Sequence, residues 1–212
     1  MSRVVVVEYV SLDGVVQAPG HPGEDPEGGF ERGGWTGPFM QEHRRYMREE
    51  VRGAGAFLLG RVTYEIFAAY WPTVTDEQDE IARALNGLPK YVASTTLKEA
   101  EWDGTTVIRS DVAEEVAKLK KKIGRDILVV GSSALAQTLM RHDLVDEYRL
   151  WLHPVVLGDG KRLFGEGAPP TTLRLVDTRA TPGGLVILTY EPERNESKAR
   201  VGEIATRAAD EV

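Results

Sequence analysis

The sequence predicts an α/β fold: a mixed, mostly parallel sheet of about eight strands, helices on both faces, and an antiparallel edge at the C-terminal end. Three observations predict it. Short runs rich in Val, Ile, Leu and Tyr alternate with helical patterns through about residue 141, which favours parallel pairing through helical crossovers. Three further strand-like runs follow with no helical pattern between them, and these supply the antiparallel edge. The run at 127–130 is apolar without a break, as a strand covered on both faces requires.

The first strand spans residues 4–10, a valine-rich run. A helix over 39–51 follows, because His43 and Met47 succeed Phe39 at one-turn intervals. Strands are expected at 56–59, 91–93 and 105–108. Val112, Val116, Leu119 and Ile123 then repeat on one helix face, with Asp111 and Glu114 forming a capping-box-like pair at its start. The buried strand at 127–130 leads into a helix after Gly131, with Leu135 and Leu139 facing inward. Strands at 148–152, 172–176 and 185–190 complete the sheet. The stretch 17–37 breaks the pattern. It is rich in Gly and Pro, carries Glu24, Asp25 and Glu27, and is too long for a simple connector, so it is expected to act as a lid. We read 1–192 as one domain and 193–212 as a charged tail, with a short helix over 200–209.

Bulk properties exclude several functions. A chain of 212 residues with a net charge of −7 lacks the basic surface that nucleic acid requires. The lysines at 118 and 120–122 fall on a helical pattern and form a solvated face. Without cysteine there are no disulfides, thiol nucleophiles or cysteine–zinc sites. The four histidines share no zinc-binding spacing, and no G-x-S-x-G is present. The N-terminal apolar run is too short for a signal peptide or a membrane span, so a cytoplasmic protein acting on a small molecule is expected.

Three strand ends share one chemical character and read as strand-to-helix junctions: Gly60-Arg61, Ser94-Thr95-Thr96 and Gly131-Ser132-Ser133. Free N–H groups and the positive end of a helix dipole attract phosphate, and glycine lets the backbone approach it. Arg61 can stack on an adenine or pair with a 2′-phosphate, to which Ser94, Thr95 and Thr96 can donate. In an open α/β sheet the ligand crevice lies beyond the carboxyl ends of the strands, where all three junctions fall. None is a Walker A or GxGxxG motif.

These residues carry a resemblance. Leu59-Gly-Arg-Val-Thr-Tyr-Glu65 resembles the cofactor-gripping segment of dihydrofolate reductases. Ser11-Leu-Asp-Gly14, Val130-Gly-Ser-Ser-Ala-Leu135, Leu144-Val-Asp-Glu-Tyr-Arg149 and His153-Pro-Val-Val-Leu-Gly158 resemble, in order, the motifs of the RibD C-terminal-domain family. The resemblance implies a three-layer dihydrofolate-reductase-like fold and a homodimer, for which the apolar C-terminal strands offer a surface. It implies NADPH contacted by Gly60, Arg61, Thr63, Ser94, Thr95, Gly131, Ser132, Ser133 and Leu135. It also implies hydride transfer to a small heterocyclic or carbonyl-like substrate.

Three activities stay open: reduction of 5-amino-6-(5-phosphoribosylamino)uracil in riboflavin biosynthesis, dihydrofolate reduction, and non-catalytic binding of a nucleotide or small ligand. Trp35-Thr-Gly-Pro38 is similar to the W-x-x-P of dihydrofolate reductases, but Met40 and Gln41 stand where their acid would follow, and Glu42 is the nearest carboxylate. Where riboflavin-pathway reductases carry Asp-Asp-Pro, this chain reads Glu65-Ile-Phe-Ala-Ala-Tyr-Trp-Pro72, which implies a more aromatic pocket. Hydride delivery to C=N or C=O needs a proton from a positioned acid or water. Asp13 and Glu42 are the candidates, with Asp13 preferred and also placed to polarise substrate. Trp35 and Tyr64 are the expected pocket aromatics, ahead of Phe67 and Trp71, for which packing serves equally well.

Overall fold

The computed structural model describes residues 1–165 and 168–193. Its strands form one eight-stranded sheet in the order β4-β3-β2-β5-β1-β6-β8-β7. Valines dominate its centre, where β1 (Val4–Ser11) runs parallel to β5 (Asp126–Val130) and to β6 (Glu147–His153). Side chains alternate across a strand, so Val5 and Val7 enter one core layer while Val4 and Val6 enter the other. All four are at most 1% exposed, and burying each contributes roughly 1.5–3 kcal/mol before entropy.

Helices cover both faces. On the Val5–Val7 side lie α1 (Met40–Gly53), α2 (Arg61–Tyr70) and α3 (Glu80–Gly87), contributing Met47, Tyr64 and Leu85 to the core. On the other side lie α4 (Val112–Lys122) and α5 (Ser133–Arg141), contributing Leu119 and Leu139. The Asp111 carboxylate accepts from the Glu114 N–H, so the expected cap of α4 is present. The short helix α3 has no counterpart among the sequence expectations. Asp79 caps its start by accepting from Ile81 and Ala82, and the fully buried Lys90 ammonium binds the carbonyls of Leu85, Asn86 and Leu88 at its end.

The parallel part of the sheet is completed by β2 (Ala54–Gly60), β3 (Lys90–Ala93) and β4 (Thr105–Ile108). The second expected strand-to-helix junction does not exist. After β3 the chain reaches β4 with no helix, because the Ser94 hydroxyl accepts from the N–H groups of Thr96 and Leu97 and closes a local turn. The antiparallel edge is a hairpin of β7 (Leu173–Ala180) and β8 (Val186–Pro192), with β8 against β6 and β7 outermost. Of the tail expected at 193–212, all but Glu193 lies outside the described residues, as does the short helix expected there.

Candidate active site

The site begins where two central strands part. The ladder between β1 and β5 ends at Val7 and Val130, and the Gly131 N–H still donates to the Val7 carbonyl at 3.1 Å. Beyond that point β1 continues to Ser11 beside β6 alone. In a parallel ladder, alternate residues direct their main-chain groups to opposite neighbours. Tyr9 therefore turns its N–H and carbonyl towards the side that β5 has left. A cavity of about 670 Å³ opens there, lined from β1, β2, the start of α2, the start of α5 and the loop after β1.

Two helix N-termini face this cavity. The first N–H groups of a helix have no intrahelical partner, and no side chain among the described residues caps α2 or α5. Arg61, Val62 and Thr63 from α2, and Ser133, Ala134 and Leu135 from α5, all line the cavity. Gly131 and Ser132 both adopt left-handed conformations, at φ 58° and φ 64°, to turn β5 into α5. Such a conformation strains a serine, and strained positions cluster at ligand-binding turns. The Ser132 hydroxyl accepts from the Gly60 N–H at 2.9 Å and donates to the Val130 carbonyl at 3.3 Å. Ser132 thus ties the first and third junctions into one rim, and its hydroxyl is already engaged.

Arg61 sits at the rim in an exposed pair with Glu65, one turn along α2. Exposed pairs of this kind contribute only about 0–1 kcal/mol, so a phosphate can displace Glu65 at little cost. Ser94, Thr95 and Thr96 follow Ala93, which is in register with Gly60. They occupy the same strand-end edge as Arg61 but lie outside the cavity lining.

The expected pocket aromatics are reversed. The Trp35 indole N–H donates to the Gln17 carbonyl at 2.8 Å, and its ring packs edge-on against His153, away from the cavity. The Tyr64 hydroxyl accepts from the Trp102 N–H at 3.2 Å inside the core. Met40, Phe67 and Trp71 form the apolar wall instead, with His43 beside them.

His43 is coupled to His153 through their Nε2 atoms at 2.7 Å. The second nitrogen of His153 lies 3.3 Å from the Val10 carbonyl, which can only accept. His153 therefore carries its proton on Nδ1, and His43 donates from Nε2. Burial, then the neighbouring His153, pushes His43 down to about 3, so the pair is neutral at physiological pH.

Neither expected acid reaches the cavity. Asp13 accepts from the Ser11 hydroxyl at 2.7 Å and from the N–H groups of Leu157 and Gly158 at 3.1 and 2.6 Å. The Ser11 hydroxyl, followed by these main-chain groups, holds the Asp13 carboxyl down at about 2. It is an ionised anchor for the loop after β6, without a proton to give. Glu42 leans on the β7–β8 turn, its Oε1 2.6 Å from where a Cβ on Gly183 would stand.

The carboxyl that lines the cavity from the sheet is Glu8, 3% exposed in the middle of β1. Burial pushes its carboxyl up to about 8, and Oε1 has no hydrogen-bond partner among the described residues. The signal was available as one carboxylate inside the run Val4-Val-Val-Val-Glu-Tyr-Val10.

The 17–37 loop walls the cavity through Gln17–Gly20 and its acidic residues. The Gln17 amide donates to the carbonyls of Asp25 and Glu27 and accepts from the Lys161 N–H, while the Lys161 ammonium pairs with both carboxylates. A satellite core of Val15, Ala18 and Phe30 supports this arrangement. Among the described residues, no cluster suited to a metal ion occurs and no helix is long and apolar enough to cross a membrane.

The sheet order and the crevice define a protein of the dihydrofolate-reductase-like fold. Solved structures share it at low identity, two of them as follows. A Shewanella sp. PV-4 protein named for riboflavin biosynthesis aligns with a TM-score of 0.63 at 20% identity, covering 92% of this chain and 100% of its own. Dihydrofolate reductase from Enterococcus faecalis, solved with NADP(H), aligns with a TM-score of 0.55 at 14% identity, covering 90% of this chain and 96% of its own. The chain belongs to the RibD C-terminal domain family, whose pattern matches residues 3–187. It is 32% identical to the uncharacterized protein YyaP of Bacillus subtilis (strain 168), over 89% of this chain and 94% of that one.

Proposed function

We propose that this protein is an NADPH-dependent oxidoreductase that reduces a small heterocyclic or carbonyl-like molecule. One observation carries the reading: the uncapped N-termini of α2 and α5 converge on a single cavity beside an apolar wall. Two sets of free N–H groups suit a pyrophosphate, and Arg61 with Ser94, Thr95 and Thr96 suits a 2′-phosphate at the rim. The cofactor supplies the hydride when bound. The chain's own contribution is to hold the anionic groups, direct a ring into the crevice beside Tyr9, and exclude water with the 17–37 loop. Met40, Phe67 and Trp71 favour a planar substrate, and 5-amino-6-(5-phosphoribosylamino)uracil is the first to assay, with dihydrofolate second.

The Arg61→Ala variant tests the cofactor. Loss of a charged hydrogen-bond partner should weaken NADPH by about tenfold or more while NADH changes little. Equal losses for both nucleotides, measured by calorimetry, would remove Arg61 from 2′-phosphate recognition. The positions of Asp13 and Glu42 outside the cavity favour a second reading, a non-catalytic binder. Tight NADPH binding with no NADPH oxidation across pterins, pyrimidines and quinones would establish it.

We also propose a homodimer. The exposed Leu175 and Val176 on the outermost strand β7 support it, since exposed apolar side chains on an unpaired sheet edge invite pairing.

A further inference from the structure

Glu8 is a carboxyl set into the valine-rich strand β1, and its Oε1 is left without a partner among the described residues. Leaving a buried polar atom unmatched costs stability, so a side chain retained in that state points to a partner that comes from outside. The nearby charges do not provide one. Lys161 is held by Asp25 and Glu27, Arg61 by Glu65 and Arg44 by Asp79, while Glu24 accepts from the N–H groups of Gly20 and His21. His43 stacks on Tyr9, on the opposite face of β1, and its Nε2 is engaged with His153. On the face of β1 that carries Glu8, the cavity is lined by Val16 and Leu135, which offer no charge or side-chain hydrogen bond.

We propose that Glu8, as a neutral carboxylic acid, recognises an amide edge of the molecule bound in the cavity: a carbonyl or ring C=N beside an N–H. A protonated carboxyl presents one O–H donor next to one carbonyl acceptor. Its complement is an acceptor next to a donor, met in a two-point pair. A carboxylate could accept but not donate, so the pairing exists only while the proton stays on Glu8. This assignment rests on the cofactor reading above. It deepens that reading by naming the group that holds the uncharged end of the ligand, while the helix N-termini hold the charged end. Two sources carry the required edge: the carboxamide of a nicotinamide, and the lactam edge of a heterocyclic substrate.

The test compares wild type, Glu8→Gln and Glu8→Leu. Calorimetry between pH 6 and 9.5 would use NADP⁺, 2′-phospho-ADP-ribose (the same nucleotide without nicotinamide), uracil and pterin. Carbon-13 NMR of glutamate-labelled protein would follow the Glu8 carboxyl, identified by its loss in Glu8→Gln. The Glu8 carboxyl of the free protein should titrate near pH 8 and remain protonated when ligand is bound.

If the carboxamide is the partner, Glu8→Leu should weaken NADP⁺ by about tenfold or more and leave 2′-phospho-ADP-ribose unchanged, which also reports an intact fold. If the substrate is the partner, uracil or pterin should weaken instead. Glutamine keeps a donor beside an acceptor, so Glu8→Gln should restore affinity and abolish the loss that wild type shows above pH 8. Wild-type affinities for every probe in Glu8→Leu, or a Glu8 carboxyl ionised at pH 6, would overturn the assignment while leaving the cofactor reading intact. Failure of wild type to bind any of the four probes would overturn both.

Discussion

Two buried groups on opposite faces of β1 give this protein opposing responses to pH. Glu8 titrates near 8 in the fold against 4.5 when unfolded, so folding takes up a proton between those values. The stability linked to Glu8 is therefore complete below 4.5 and lost as pH rises through 8. His43 is lowered from 6.5 to about 3 by burial and then by His153. Its linked stability is complete above 6.5 and lost as pH falls towards 3. Urea denaturation across pH should separate them. Glu8→Gln should gain on wild type from pH 5 to about 8 and level off above it, and His43→Gln should flatten the acid limb. Curves that stay parallel to wild type in either variant would contradict the assignment. Which single side chains fill the cavity was the least legible feature of the sequence. Tyr64, Phe67 and Trp71 all pack against the same core layer, so periodicity does not rank them. Tyr64 is withdrawn from the cavity because its hydroxyl meets the Trp102 N–H, 38 residues away in the chain. Asp13 was read as a proton donor because it sits where the first strand enters the long loop, and its three donors come partly from a loop over 140 residues later.

Among the elements, the turn from β5 into α5 concentrates the argument. Gly131 at φ 58° can turn there without strain, whereas an L side chain in that conformation costs roughly 1–2 kcal/mol. A Cβ at Gly131 would meet the Thr63 side chain at no closer than 3.5 Å, so strain rather than crowding sets the penalty. Gly131→Ala should lower stability by about 1 kcal/mol in urea unfolding and weaken NADPH binding by disturbing the start of α5. Unchanged affinity would show that the α5 N-terminus takes no part. The strand positions were legible because valine and isoleucine cluster in short runs, and each observed strand overlaps its expected one. Helix α3 was missed because eight residues give too few periods to register, although Asp79 is an ordinary cap. The Ser94–Thr96 segment misled for a related reason. Its hydroxyls look like a helix start, yet Ser94 spends its own on the two N–H groups that follow.

On the scale of the molecule, the crevice exists because β5 stops at Val130 while β1 runs on to Ser11 beside β6. Strand lengths of this kind depend on long-range pairing, which explains why the glycines and hydroxyls of the rim could be picked out in the sequence but the depth of the cavity could not. The exposed Leu175 and Val176 of the edge strand β7 make a prediction at the same scale. Light scattering should report a dimer, and a Leu175→Lys, Val176→Lys double variant should report a monomer; an unchanged mass would place the interface elsewhere. The central claim is that one anionic ligand bridges the N-termini of α2 and α5. Amide chemical-shift mapping of the nitrogen-15-labelled protein with NADP⁺ tests it most directly. The largest shifts are expected at residues 61–63 and 131–135. Shifts confined to other parts of the sheet, or none at saturating nucleotide, would contradict it.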